Sequence, residues 1–237
     1  MTRTSVEMPL RSLVEHLRIR AAGCARRYVL GIAGPPGAGK STLAKAIRDD
    51  LNNRSGTPIA EIAPMDGFHL SNAELRVTGN LERKGEPHTF DVAAFVETLR
   101  RLRDTPLGEP VPWPTFDRAI EEPTPAGVVF DRQEIAITEG NYLLLSDGAW
   151  SGAREFLDEV WYLDVAREVI EQRLLRRHIR GGRTPDAAKI KVYDSDLRNA
   201  DLIADTRLRA DLVLRQRGGR YYATEDVERR VAESRWR

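Results

Sequence analysis

Lys40, Ser41, Asp66 and Glu139 are the residues whose types and spacing could move a phosphoryl group. Lys40 and Ser41 close the octapeptide Gly34-Pro-Pro-Gly-Ala-Gly-Lys-Ser41, which meets the phosphate-binding loop pattern G-x-x-x-x-G-K-[ST] at every fixed position. Such a loop turns backbone N–H groups inward around a polyphosphate, so bulky side chains must be absent. The lysine adds a mobile point charge for the β- and γ-phosphates, and the serine hydroxyl is the usual Mg²⁺ ligand. Gly34, Pro35, Pro36, Gly37, Ala38, Gly39, Lys40, Ser41 and Thr42 form the candidate nucleotide-binding set.

A phosphate loop alone does not separate kinases from GTPases or motor ATPases; the acids downstream carry that distinction. Phosphoryl transfer to a hydroxyl needs one group to orient and deprotonate the attacking oxygen and another to hold Mg²⁺ or its waters. Asp66 follows the second expected strand and Glu139 the third, so parallel strands would bring both carboxylates beside the γ-phosphate. The assignment is Asp66 as base and Glu139, with Ser41, at the metal. Arg173, Arg176, Arg177, Arg180 and Arg183 bracket Gly181-Gly182. Arginines on a closing lid, about 176–186, can stabilise charge on the transferring group, and adjacent glycines allow hinge motion. Arg177 and Arg183 are the choices, by their place at the break; a solvated helix face is the competing reading of each. Polar groups on loops beside a catalytic carboxylate suit hydroxyl binding, which makes His69, Lys84, His88, Asp117 and Arg118 candidate substrate contacts.

These residues need elements to position them. Tyr28-Val-Leu-Gly-Ile-Ala33 reads as a buried strand, and the helix after the loop carries Leu43, Ala44 and Ile47 on one face. Strand, glycine loop and helix are the arrangement that the motif requires, with the helix dipole added to the anion site. Further strands are expected at 59–63, 135–138, 160–165 and 212–214. Helices are expected at 5–22, 92–103 (capped by Asp91), about 167–180, about 186–203, and after Thr224. Strands alternating with helices predict a mostly parallel sheet with helices on both faces, an α/β three-layer sandwich of the P-loop NTPase type. The stretches 66–90 and 104–126, the second rich in proline, read as irregular loops at the carboxyl side of the sheet, where ligands bind in such folds.

Composition bounds the partners. With 237 residues, 41% apolar and 31% charged, there is room for one α/β domain over 1–237. A formal net charge of +1 argues against nucleic-acid binding. No apolar run approaches the roughly 18 residues that span a bilayer, so no membrane partner is expected. Met1-Thr-Arg-Thr-Ser-Val-Glu7 lacks the apolar core of a signal peptide, and Cys24 is the single cysteine. A cytoplasmic protein is the expectation. The His and Cys spacing predicts no zinc or iron.

The set Gly34–Ser41, Met65-Asp-Gly-Phe-His69, Thr138-Glu-Gly140 and the arginine segment resembles the phosphoribulokinase/uridine kinase family of P-loop kinases. Arg83-Lys-Gly-Glu-Pro-His-Thr-Phe-Asp91 and Thr206-Arg-Leu-Arg-Ala210 are similar to stretches of type I bacterial pantothenate kinase. The resemblance covers about 28–214. It implies an ATP- and Mg²⁺-dependent kinase acting on a small-molecule hydroxyl: a nucleoside, a sugar or a pantothenate-like acid. It makes Asp66 the base, Lys40 and Ser41 the phosphate and Mg²⁺ contacts and Glu139 the Walker-B-like acid. It also puts Thr206–Ala210, with Arg207, near the adenine. Family members are often dimers or higher oligomers, which leaves a homodimer open. Two departures stand out. Val111-Pro-Trp-Pro-Thr-Phe-Asp117-Arg118 replaces the Tyr-Ser-His segment of pantothenate kinase, and the residues after Asp66-Gly67 differ from the usual uridine kinase environment. The alternative is a regulatory P-loop ATPase acting on a protein partner; Asp66 with the Pro-rich loop argues against it, since they would build an acceptor pocket with no use.

Overall fold

The computed structural model describes residues 5–224. The sheet runs in the order β1-β9-β8-β7-β2-β6-β3. Its members are β1 (Ser5–Glu7), β2 (Tyr28–Ala33), β3 (Ala60–Pro64), β6 (Ile135–Gly140), β7 (Glu159–Asp164), β8 (Leu212–Arg217) and β9 (Arg220–Thr224). The five strands from β8 to β3 are parallel; β9 and β1 add antiparallel at one edge. β2 sits between β6 and β7, so the phosphate loop leaves from the middle of the parallel set.

Alternation along the strands builds the layers. Tyr28, Leu30 and Ile32 of β2, with Ile135, Ile137, Trp161 and Leu163, point to one face, where α1 (Leu10–Ala22) brings Leu13 and Leu17 and α2 (Lys40–Ser55) brings Leu43, Ala44 and Ile47. Val29 and Ala33, with Ala136, Val160 and Tyr162, point to the other, against Phe95, Leu99 and Leu102 of α4 (Val92–Asp104). Strands apolar on both sides cannot face water, so helices cover both faces. Asp91 caps α4 as expected, its Oδ1 accepting from the Ala94 N–H at 2.9 Å. No helix among the described residues is long and apolar enough to cross a membrane.

Several expectations need correction. The helix over 5–22 starts only at Leu10, because Pro9 disfavours a helical residue before it; Ser5–Glu7 pairs with β9 instead. The third strand continues through Glu139 and Gly140, so Glu139 lies on the strand tip. The stretch 66–90 is not wholly irregular. Ser71 and Glu74 form a reciprocal capping box that starts α3 (Asn72–Val77). The last expected strand extends to Arg217 and turns back as β9, while the helix expected after Thr224 lies outside the described residues. The helix expected at about 186–203 forms, running without a gap from α6 (Pro185–Lys191) through a π turn over Val192–Asp196 to α7 (Leu197–Ile203), after α5 (Arg167–Arg180).

The largest correction is at 104–126. This stretch folds into an antiparallel hairpin of β4 (Val111–Asp117) and β5 (Glu122–Phe130). Both strands are edges, so a proline can turn its missing N–H outward without losing a ladder bond. Nor does the stretch leave the carboxyl side of the sheet. Arg27, just before β2, donates to Leu102 O and Asp131 O, which puts the hairpin base at the amino end. Seven extended residues then carry the tip to the carboxyl end, a reach of about 23 Å.

Candidate active site

The phosphate loop forms as the motif requires. Gly39 holds φ 100° as the N-cap of α2, a left-handed conformation that a side chain would strain. Helix α2 therefore begins at Lys40. The Lys40 Nζ donates to Pro35 O at 3.0 Å and Asn141 Oδ1 at 2.7 Å. Both are neutral acceptors, so the ammonium charge is not quenched by a bonded carboxylate. Lys40 is 7% exposed, and burial pushes its pKa down to about 8. The Ser41 Oγ donates to Glu139 Oε1 at 2.8 Å.

Register explains why the two acids meet. β3 lies beside β6 with Pro64 opposite Glu139, and β2 places Ile32 opposite the same residue. Asp66 is two residues beyond Pro64, in the turn Met65–Phe68. Glu139 is 8% exposed; burial first and the Asp66 carboxylate second raise its pKa, while Lys40 opposes them. Asp66 is more open, and its Oδ2 accepts from Arg118 Nη2 at 2.8 Å.

Asp66, Glu139, Lys40 and Ser41 share one cleft of about 1050 Å³. Pro36, Gly37, Gly39 and Thr42 also line it, as do Arg177 and Arg183 from the lid segment and His69, Lys84 and Arg118 from the loops. The remaining loop residues, Gly34, Pro35 and Ala38, shape the turn without lining the cleft. Three expected contacts do not line it either, each being engaged locally. His88 is exposed, with Nε2 3.2 Å from Asn80 Oδ1. The Asp117 carboxylate accepts from the Ala119 N–H at the hairpin tip. Arg207 is exposed and donates to Ala204 O.

The His69 ring packs, tilted, against Phe90, at 4.0 Å between ring centres, and Phe116, at 4.8 Å. Burial pushes its pKa below the ordinary imidazole value, so the ring is neutral near pH 7. Its Nδ1 lies 2.8 Å from Asp66 O. A carbonyl only accepts, so Nδ1 carries the proton and Nε2 is left as an acceptor. Lys84 donates to Asn72 Oδ1 and Glu121 O and sits 5.1 Å from the Phe116 ring centre.

Sequence reasoning missed three participants. Asn141, two residues past Glu139, holds the loop lysine. Phe116 lines the cleft beside His69 and Lys84. Arg173, set aside in favour of Arg177 and Arg183, donates from α5 to Gly37 O and Ala38 O at 3.3 and 3.1 Å and to Gln216 Oε1 at 2.8 Å. Asn141 was reachable by continuing past the strand-tip acid; the Arg173 and Phe116 contacts depend on tertiary placement.

A strand-borne phosphate loop with two strand-tip acids and a facing arginine helix defines a P-loop kinase, and the comparisons agree. No family model matches the chain. A putative uridine kinase, C227.14, of Schizosaccharomyces pombe is 35% identical over 201 residues, 81% of this chain and 84% of that protein. A pantothenate kinase of Xanthobacter autotrophicus is 30% identical over 231 residues, 85% of this chain and 71% of that one. The crystal structure of a putative fructose transport system kinase from Silicibacter sp. TM1040 superposes with a TM-score of 0.79 at 35% identity, covering 87% of this chain and 98% of that one. The chain belongs to the phosphoribulokinase/uridine kinase family of P-loop kinases and is a small-molecule kinase.

Proposed function

We propose that the chain transfers the γ-phosphoryl group of Mg-ATP to a hydroxyl of a small polar acceptor: a nucleoside, a sugar or a pantothenate-like acid. The observation that carries this reading is the meeting of Lys40, Ser41, Asp66 and Glu139 in one cleft that His69, Lys84, Phe116 and Arg118 also line. The acceptor lies between the hairpin tip and the Lys84 loop. Asp66 orients its hydroxyl and takes its proton as the oxygen bonds to the γ-phosphorus. The bond from that phosphorus to the β,γ-bridging oxygen breaks, and ADP leaves. Lys40, with Arg177 and Arg183 from the lid, balances the charge on the phosphoryl oxygens.

The adjacent hydroxyl of Ser41 and carboxylate of Glu139 are hard oxygen donors of the kind Mg²⁺ takes. Those two residues would hold the ion, which would supply neutralising charge for the transferring phosphoryl group. Arg207 is proposed at the adenine on resemblance alone. The relatives' names, a putative uridine kinase, a pantothenate kinase and a putative fructose transport system kinase, set which acceptors to try first.

The test is ADP release with Mg-ATP against uridine, cytidine, ribose, fructose and pantothenate. Turnover that rises at least tenfold with one of them supports the reading. Folded protein whose ATP turnover never depends on an acceptor, but rises with a protein partner, would replace it with the regulatory ATPase.

A further inference from the structure

We infer that Lys191 is a positioning residue that ties the acceptor loop to the arginine-bearing helix, so that the two ends of the cleft close as one body. The inference rests on the kinase reading for the names of those ends, while the contacts stand independently of it.

Other contacts hold this loop to the Asn72 turn, the hairpin tip and Tyr142, but among the described side chains Lys191 is the one from α6 that reaches its carbonyls. Leu81–Arg83 is a single 3-10 turn, and Lys84-Gly85 follows with Gly85 at φ 102° and no strand partner. The cleft lies on one side. On the other is a second cavity of about 730 Å³, with Pro87, Ile190 and Leu202 in its wall. With no sheet ladder to serve them, the Glu82, Lys84 and Gly85 carbonyls take side-chain donors.

Lys191, the last residue of α6, serves the first two. Its Nζ is 3.1 Å from Glu82 O, 3.0 Å from Lys84 O and 3.2 Å from Ser195 Oγ. Three acceptors match the three N–H groups of an ammonium, and none is a carboxylate. The next carbonyl, Gly85 O, accepts from Tyr142 OH at 2.6 Å and from Asn199 Nδ2 at 3.4 Å. The same segment grips the lid. The π turn that carries Ser195 also carries Asp196, whose Oδ2 is 2.6 Å from Nε2 of His178. His178 is the neighbour of Arg177 on α5. A path of direct contacts therefore runs from Arg177's helix through His178, Asp196, Ser195 and Lys191 to the backbone of Lys84.

The test uses the intact chain with Lys191→Met, Lys191→Arg and Ser195→Ala. Amide hydrogen exchange is read first, with Mg-ADP as the only ligand. Lys84 and Glu86 donate their amides to Leu81 O and Arg83 O, so they report the loop directly. In Lys191→Met their exchange should speed by about tenfold or more, the scale of losing bonds to a charged donor, with α2 amides unchanged. Lys191→Arg should restore part of the protection. The acceptor KM in Lys191→Met should rise by a similar factor, while the Mg-ATP KM stays within about twofold.

A merely structural role would lower the melting temperature and move both KM values together, and that result overturns the inference. Unchanged loop exchange in folded Lys191→Met also overturns it. If Lys191→Met does not fold, faster loop exchange in Ser195→Ala supports the tie and wild-type exchange there overturns it. Faster exchange combined with no acceptor-dependent turnover in the wild type would leave the tie standing and remove the kinase reading.

Discussion

Arg118, at the tip of the hairpin, donates to Asp66 across 2.8 Å, bridging 52 positions of sequence to reach the carboxylate at the tip of β3. Both partners reach water, so the pair contributes little to stability. Its position matters more. An acceptor hydroxyl that approaches Asp66 must do so beside this guanidinium. Arg118→Ala should therefore leave the melting temperature within about 2 °C of wild type, as expected for an exposed pair. It should raise the acceptor KM by about tenfold, the scale of one charged hydrogen bond, with the Mg-ATP KM little changed. Steady-state kinetics with each substrate varied in turn checks it, and an unchanged acceptor KM would remove Arg118 from the site.

Gly67 sets how closely the hairpin can dock. A Cβ there would lie 2.1 Å from Pro114 O and 2.4 Å from the carbonyl carbon behind it. Backbone cannot yield as a flexible side chain can. Gly67→Ala should cost about 1–3 kcal/mol, the range for overpacking, and displace the wall that carries Phe116 and Arg118. Denaturant unfolding with an acceptor titration reads both effects. Wild-type stability in this variant would mean that the hairpin is free to shift.

Much of this arrangement was legible in the sequence, and what was legible was local. The phosphate loop, the Asp91 cap, the strand at 28–33 and the acids near the tips of β3 and β6 each depend on residues within a few positions. The hairpin was hidden because Pro112, Pro114, Pro123 and Pro125 read as strand breakers, a rule that fails where a strand has a free edge. Ser71-Asn-Ala-Glu74 was a readable capping box that the polarity of its surroundings obscured. The ties of Arg118 to Asp66 and of Lys191 to the Lys84 loop join residues 52 and 107 positions apart. Their acceptors are a turn carboxylate and main-chain carbonyls, and no spacing rule announces either.

Lys40 should make nucleotide binding pH-dependent. Burial holds its pKa near about 8 in the free protein. Phosphate oxygens favour the charged form, so binding raises that pKa. Between the free and bound values, binding takes up a proton, and affinity must fall as pH rises. The Kd for Mg-ADP should be flat below about pH 7.5 and weaken through about pH 9, following the Lys40 titration. Calorimetry in buffers of different ionisation enthalpy should detect the proton uptake near pH 8.5. A flat Kd over the whole range would contradict an ammonium acting on phosphate. Lys40→Ala should lose several kcal/mol of phosphate stabilisation, about the range for one charged donor.

At the amino end of the sheet, Glu159 accepts from Trp161 Nε1 at 2.7 Å and from Tyr28 OH at 3.0 Å, with His16 Nε2 3.0 Å away. Burial alone would raise its pKa, yet these hydrogen bonds and the His16 charge hold it below the ordinary carboxylate value. A depressed folded pKa stabilises the fold above the unfolded value, here 4.5, and that contribution is lost as pH falls through the folded one. Stability should therefore drop on acidification below about pH 4.5, and Glu159→Gln should remove part of that slope. The substitution should also cost about 2 kcal/mol at neutral pH, the scale for hydrogen bonds to a charged group. Denaturant midpoints for both proteins across the acid range measure this, and an unchanged acid slope would show that Glu159 is not the group responsible.

The assignment of Asp66 as the proton acceptor is tested most directly by Asp66→Asn, assayed with Mg-ATP and the best acceptor from the panel. Asparagine keeps the shape and the partner but cannot take the proton. We expect an unchanged Kd for Mg-ATP and a kcat lower by about 10²-fold or more, the contribution typical of a positioned base. A folded Asp66→Asn protein with the wild-type kcat would contradict the assignment.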